Sequence, residues 1–110
     1  MTPELVEIST TVASEAEGLA IARRLVEEGL VACGNVLPCR SVYRWEGRVQ
    51  DEAEFVVLLK TLAGHAPAAE RRLAELHAYA TPAILRLPVL HANEDYVAWV
   101  AACVRAAEGT

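Results

Sequence analysis

The chain has 110 residues, 54% of them hydrophobic, and a formal net charge of −5 from 10 basic and 15 acidic residues. This length and apolar content indicate one compact domain over residues 1–110 and argue against disorder. The acidic surplus argues against a nucleic-acid binder and against a polybasic membrane patch, because both need a basic surface.

Cysteine usage and the chain start set expectations about the compartment. The three cysteines are odd in number and form no CxxC, so we expect no disulfide framework and a reducing cytoplasm. The start, MTPELVEIST, lacks a basic segment followed by an apolar core, so we expect no signal peptide. No uncharged run approaches the ~18 residues of a membrane span.

The first third of the chain predicts a strand followed by a helix. Residues 4–12 are short and β-branched, which is typical of a strand. Ser14 and Glu17 have the spacing of a capping box, which predicts a helix over 15–28. Gly29 supplies the left-handed residue that ends it.

The middle of the chain predicts a long β-hairpin. Residues 30–46 look extended, Glu46–Gly47 form a tight turn, and 48–62 return as a second strand. Pro38 lies in the middle of the first strand, where the missing N–H requires a sheet edge or a bulge.

The last third predicts a helix, a strand and another helix. Pro67 suits the start of a helix that runs to His77. A strand over 83–89 follows, and Asn93 caps a helix over 94–107. The order βαββαβ with an extra C-terminal helix predicts an α+β, ferredoxin-like sandwich with both main helices on one face of an antiparallel sheet.

The predicted hairpin is too long for one small domain. Residues 31–46 would span about 50 Å at about 3.3 Å per residue, whereas a domain of this size has a radius of gyration of about 13 Å. The hairpin therefore either bends at Pro38 over its own helices or projects beyond its sheet. We favour projection covered by a symmetric partner, because unpaired edges and exposed Tyr43 and Trp45 invite association.

The metal-competent residues are few and scattered. His77 at a helix end is either a copper or zinc ligand or a hydrogen-bonded structural residue. Cys33 and Cys39 lie six residues apart, but Pro38 is expected to break the strand phase between them, so small buried hydrophobes are the favoured interpretation. We expect Cys103 to lie on the apolar face of the last helix as a structural residue. We expect His65 and His91 to be solvated in connectors.

Catalytic motifs are missing from the sequence. It contains no Gly-rich loop, GxSxG or HExxH, so we expect no enzyme. The carboxylates of Asp51, Glu52 and Glu54 are expected to form a charged, solvated strand edge. The first loop reads TTVASE, without the CxxC of a metallochaperone, and the first strand lacks the aromatic and basic residues of an RNA-binding sheet.

Three stretches together resemble one known family. They are RLVEEGLVACGNVLP (24–38), SVYRWEGRVQDEAEFVVLLKT (41–61) and ELHAYATPAILRLPVLHANEDYVAWV (75–100). Their EExLxAxxNxxP and SxYxWxG patterns resemble the CutA family of divalent-cation tolerance proteins over nearly the whole chain. The resemblance implies a ferredoxin-like protomer in a homotrimer, similar to the PII trimers, with long hairpins packed between subunits. It also implies copper or another divalent cation as ligand, and no accepted catalytic reaction.

The chain departs from the family where a metal would be held. The family motif HPYExPEI reads HAYATPAI over 77–84 here, and Ser9 stands where some members have cysteine. Three positions of the motif are alanine in this chain: Ala78, Ala80 and Ala83. Cys33 and His77 remain as matching metal-competent residues, so we expect weakened metal binding unless threefold symmetry gathers several copies.

The sequence is compatible with two alternative functions. The first is a cytoplasmic homotrimer for divalent-cation (copper) tolerance with weak metal binding, in which His77 ligates, Cys33 supplies a thiolate and Tyr79 lines the cleft. The alternative is a PII-like trimeric scaffold or sensor without metal, whose clefts bind a small anion, a metabolite or a protein. In that case Tyr43 and Trp45 face the ligand.

Overall fold

The computed structural model describes residues 4–108. The elements are β1 (Leu5–Val12), α1 (Glu15–Glu27), β2 (Cys33–Trp45), β3 (Arg48–Leu62), α2 (Ala66–Leu76), β4 (Leu85–Pro88) and α3 (Glu94–Glu108). The strands form one antiparallel sheet in the order β2-β3-β1-β4. The predicted order βαββαβ plus a C-terminal helix is confirmed. The expected domain over 1–110 also includes 1–3 and 109–110, which lie outside the described residues.

The two faces of the sheet are covered differently. Helices α1 and α2 bury one face, with Ile8, Leu25 and Leu73 among the fully buried side chains of that core. Helix α3 covers one end of the opposite face, around Leu5 and Val100. The prediction that both main helices share one face is confirmed, and most of the other face is left without a helix.

Local signals explain the ends of α1. The Ser14 Oγ accepts a hydrogen bond from the Glu17 N–H at 3.2 Å, so the predicted cap is present. Gly29 has a φ of 72°, the left-handed conformation that ends a helix at low cost. The helix itself ends at Glu27, one residue before the predicted end.

Strand β4 has four residues where seven were predicted over 83–89. It pairs with Val6–Ser9 of β1 and stops there. The next carbonyl of β1 on that side, Thr11 O, lies 2.9 Å from the Nε2 of His77. A longer β4 would use the same acceptor, which His77 already contacts at the point where the pairing stops.

The hairpin is straight and projects from the body. Strands β2 and β3 pair in constant register from Cys33–Lys60 to Trp45–Arg48. The register passes through Pro38 without a bulge, so the expected break in strand phase is wrong, and Pro38 lies on an edge strand. The molecule measures 47 × 28 × 20 Å, with a radius of gyration of 14.7 Å. Projection is therefore confirmed, and a bend over the helices is excluded.

We call residues 39–54 the hairpin arm, because they extend past the last pair of β1 and β3, Val12–Phe55. Beyond that pair, the arm consists of two strands with an unpaired edge on each side. Exposed apolar side chains line it, including Val42, Val49 and Trp45. Such edges and side chains are the features that other chains pair with or cover.

Candidate functional site

His77 caps the end of α2 and both of its ring nitrogens are occupied. The Nδ1 accepts a hydrogen bond from the Tyr79 N–H at 3.1 Å. The Nε2 lies 2.9 Å from the Thr11 carbonyl and 3.0 Å from the Thr10 Oγ1. Because a backbone N–H only donates and a carbonyl only accepts, the proton is on Nε2. The buried ring therefore presents no free lone pair to a metal ion.

Cys33 lies elsewhere in the fold. It begins β2 and its Sγ lies 3.2 Å from the Tyr96 Oη, under α3. His77 instead contacts Thr10, whose side chain faces the α1–α2 side of the sheet. Burial and the Cys33 contact raise the pKa of Tyr96 to about 12. Within a single chain, Cys33 and His77 therefore lie on opposite faces of the sheet and do not share a site.

The donor set does not fit a divalent cation within one chain. Among the side chains that the structure describes, no three His, Cys, Asp or Glu are grouped so as to hold an ion. The free cysteines Cys33, Cys39 and Cys103 are half-buried, so they are less enclosed than expected. His91 is exposed as predicted, but the expectation that His65 is solvated is wrong, because its ring nitrogens are shielded from solvent.

The aromatic residues expected to line a cleft share one groove. Tyr43, Trp45 and Tyr79 border an open groove of about 720 Å³ beside the hairpin arm. Most of the strand residues in its wall belong to the sheet face opposite α1 and α2. The other lining residues are Thr11, Ala13, Ser41, Val42, Glu52, Glu54, Ala80, Thr81 and Ala83.

Two tyrosine–glutamate pairs organise the groove. The Tyr79 Oη donates to the Glu54 Oε2 at 2.5 Å, and the Tyr43 Oη donates to the Glu52 Oε2 at 3.0 Å. Burial and the hydrogen bond to Glu54 raise the pKa of Tyr79 well above its usual value of 10. The hydrogen bond to Glu52 raises the pKa of Tyr43. Both phenols therefore stay protonated and donate hydrogen bonds to their carboxylate partners.

The acids of the hairpin arm do not all behave as expected. Asp51 is exposed and pairs with Arg40 at 2.6 Å, and Glu52 is exposed. The expectation that Glu54 is solvated is wrong, because it is only 6% exposed beneath Tyr79. Sequence reasoning missed Glu52 and Glu54 as groove residues. The signal was available, since the hairpin register pairs Ser41 with Glu52 on the face that also carries Tyr43.

Over the described residues, no helix has the length and apolar character required to cross a membrane.

Comparison with known proteins identifies the family. The sequence profile of the CutA1 divalent ion tolerance proteins matches residues 6–103. The divalent-cation tolerance protein CutA of Thermus thermophilus is 41% identical over 91 residues, which cover 82% of this chain and 88% of that relative.

Solved structures share the same fold. The divalent ion tolerance protein CutA1 of Ehrlichia chaffeensis has a TM-score of 0.90 at 28% identity, covering 94% of this chain and 98% of that one. A periplasmic divalent cation tolerance protein CutA of Archaeoglobus fulgidus has a TM-score of 0.88 at 30% identity, covering 91% and 98%. The chain therefore belongs to the CutA1 divalent ion tolerance protein family.

Proposed function

We propose that this chain acts in divalent-cation tolerance as a homotrimer, and that it binds copper or another divalent cation only weakly. The match with the CutA1 family over residues 6–103 carries this proposal, because relatives across the family are named for that role. We do not propose strong metal binding, because Cys33 and His77 lie apart and both ring nitrogens of His77 already have hydrogen-bond partners.

The hairpin arm supports the assembly. Its two edges are unpaired, and its exposed apolar residues include Val42 at 68% exposure. Leu85 and Leu87 of the short strand β4 are also exposed, on the face without α1 and α2. A symmetric trimer with arms packed between subunits would cover both sets of residues. Sedimentation equilibrium should give three times the chain mass, and a monomer at micromolar concentration would refute the assembly.

Copper titration tests the metal part of the proposal. We expect weak, non-saturating uptake by the anaerobic protein, with no difference between the wild type and His77→Ala. The exposed His91→Ala is the matched control, since it removes an imidazole outside the groove. Saturable uptake near one ion per chain that is lost only in His77→Ala would contradict weak binding.

Growth tests the tolerance role. Cells that lack this chain should stop growing at a lower copper concentration than the parent strain, and expression of the wild-type chain should restore the difference. Equal growth of the two strains across copper, zinc and cobalt would overturn the tolerance role without bearing on the fold.

The groove favours a second candidate, a PII-like trimeric scaffold or sensor that binds a small molecule or a protein partner without metal. Trp45 lies in the groove wall, so its fluorescence should report such a ligand. Titration with metal ions and with nucleotides separates the two candidates, because only the sensor should respond to a metabolite in the absence of metal.

We also propose a non-catalytic, cytoplasmic protein. The lack of known catalytic motifs in the sequence supports the first part, and the three free cysteines support the second. Cell fractionation tests the location, and recovery of the chain in a periplasmic or secreted fraction would overturn it.

A further inference from the structure

A smaller groove lies between α1 and the end of α2, and we call it the helix groove. The described residues that line it are Glu17, Ala20, Ile21, Arg24, Leu76 and Ala78. Its volume of about 230 Å³ is below the range of about 300–1,000 Å³ typical of small-molecule sites. The helix groove therefore suits the side chains of a protein better than a whole small ligand.

The helix groove lies apart from the surfaces that the proposed trimer covers. Those surfaces are the hairpin arm, over residues 39–54, and strand β4 on the sheet face without α1 and α2. The helix groove is formed instead by the two helices that bury the other face. Ala20, Arg24 and Ala78 in its lining are exposed. Assembly through the hairpin arms therefore leaves this groove available to a further partner.

The two ends of the helix groove have opposite charge. Glu17 and Arg24 are seven residues apart on α1, so they lie on the same side of the helix, about 10.5 Å apart along its axis. The Arg24 side chain is 55% exposed, and its Nε donates to Glu28 at 2.9 Å. A guanidinium has further N–H donors, so Arg24 can bind a second carboxylate.

The order of these charges is self-complementary. Glu17 and Arg24 are equally far in sequence from the midpoint between Ala20 and Ile21. Two antiparallel copies of α1, related by a twofold axis at that midpoint, would place Glu17 of each copy beside Arg24 of the partner subunit. Parallel copies would instead bring like charges together, which is unfavourable. A second copy of the chain therefore supplies the matching charges by symmetry alone.

We propose that the chain associates with a second copy of itself through the helix groove, with two α1 helices antiparallel about a twofold axis. The exposed side chain at the centre of the contact is Ala20, whose small size lets the helices approach closely. The contact is independent of the hairpin arms. It joins the chains of two different trimers, so the concentrated protein contains a six-chain species.

Sedimentation velocity over a wide concentration range tests the association. The helix groove is small, so we expect a weak contact, which requires a series from about 10 μM to about 1 mM chain. The three-chain species should convert into a six-chain species across this series. Three chains at every concentration would overturn the proposal and leave the trimer intact. A two-chain species instead of six would support the α1 contact and overturn the trimer.

A charge swap tests the antiparallel arrangement. Glu17→Arg or Arg24→Glu alone should weaken the six-chain species at least about tenfold, because like charges then face each other twice in each contact. Glu17→Arg together with Arg24→Glu restores both pairs in reversed order, so this double variant should recover the six-chain species. Persistence of the three-chain species in all variants shows that they fold. A folded double variant that stays at three chains would overturn the twofold contact.

Arg23→Glu is the matched control for Arg24→Glu. It makes the same change of charge one residue away on α1, at an exposed position outside the lining of the helix groove. It should change the association less than about twofold, because solvent and salt screen charges outside a contact. Equal effects of Arg23→Glu and Arg24→Glu would overturn the specific contact and leave only general charge attraction.

Discussion

The Nδ1 of His77 accepts a hydrogen bond from the N–H of Tyr79 at 3.1 Å. This contact leaves Nε2 to donate to Thr11, so one imidazole joins the end of α2 to β1 and orients Tyr79. The ring of His77 packs against that of Tyr79, with centroids 4.9 Å apart. The histidine of the family motif is thus a structural residue that supports the wall of the groove.

Replacing His77 should cost stability and leave metal uptake unchanged. We expect His77→Ala to lower the free energy of unfolding by about 1–3 kcal/mol, because Thr11 O and the Tyr79 N–H lose their buried partner. Urea denaturation at fixed protein concentration measures this, and His91→Ala should be neutral. A neutral His77→Ala would show that the ring is dispensable. NMR of the ¹⁵N-labelled ring should show the proton on Nε2.

The three tyrosines should titrate late in the folded protein. Each has a pKa raised above 10: Tyr43 mainly by its hydrogen bond to Glu52, Tyr79 mainly by burial, and Tyr96 by burial to about 12. Absorbance at 295 nm should therefore show less than half ionisation at pH 10, whereas the chain in urea should be half ionised there. Ionisation of one tyrosine in the folded protein with a pKa of 10 or below would contradict this.

The same shifts predict alkaline destabilisation. Above pH 10 the unfolded chain binds fewer protons than the folded one, so the free energy of unfolding falls as pH rises from about 10 towards the folded pKa values. Tyr79→Phe should flatten this fall, and Tyr96→Phe should do so between about pH 10 and 12. A free energy of unfolding that does not change from pH 9 to 12 would contradict the raised pKa values of the tyrosines.

Gly34 is required for the close approach of α1 to β2. A Cβ at this position would lie 2.9 Å from the Ala22 Cβ and 3.0 Å from the Leu59 Cδ2. We expect Gly34→Ala to destabilise the fold by about 1–3 kcal/mol, because the helix must shift outwards. Gly64→Ala is the matched control, since a Cβ there meets nothing within 4 Å. Urea midpoints should separate the two variants, and equal midpoints would show that the helix moves freely.

Much of the fold could be predicted because its signals are local. Ser14, Gly29 and the Glu46–Gly47 turn have fixed positions relative to their elements, and the hairpin register follows from that turn. The end of the β4 pairing could not be predicted, since the next acceptor on β1, Thr11 O, is contacted by His77 from 66 residues away in sequence.

The site was harder to predict for a related reason. Residue types alone leave His77 open as a ligand, and only its three partners reveal a structural role. The buried state of Glu54 likewise depends on Tyr79, which a long loop of the fold brings back over β3. Strand alternation could have placed Glu52 beside Tyr43, because the hairpin itself determines that pairing.

The alanines of HAYATPAI explain why the groove is poor in metal ligands. Ala80 and Ala83 line it beside Glu52 and Glu54. Both stand at glutamate positions of HPYExPEI, the motif that the resemblance implies. Two further carboxylates would bring the groove to four, which is enough oxygen to compete with water for a hard divalent cation.

We therefore expect Ala80→Glu with Ala83→Glu to bind Ca²⁺ more tightly than the wild type, by about tenfold or more. Isothermal titration calorimetry measures the difference. Ala16→Glu with Ala74→Glu adds the same charge at two exposed helix positions outside the groove, and should leave Ca²⁺ binding near the wild-type value. Similar gains in both double variants would mean that net charge, rather than the groove, attracts the ion. A gain confined to the first variant would show that the two alanines keep hard cations out of this chain.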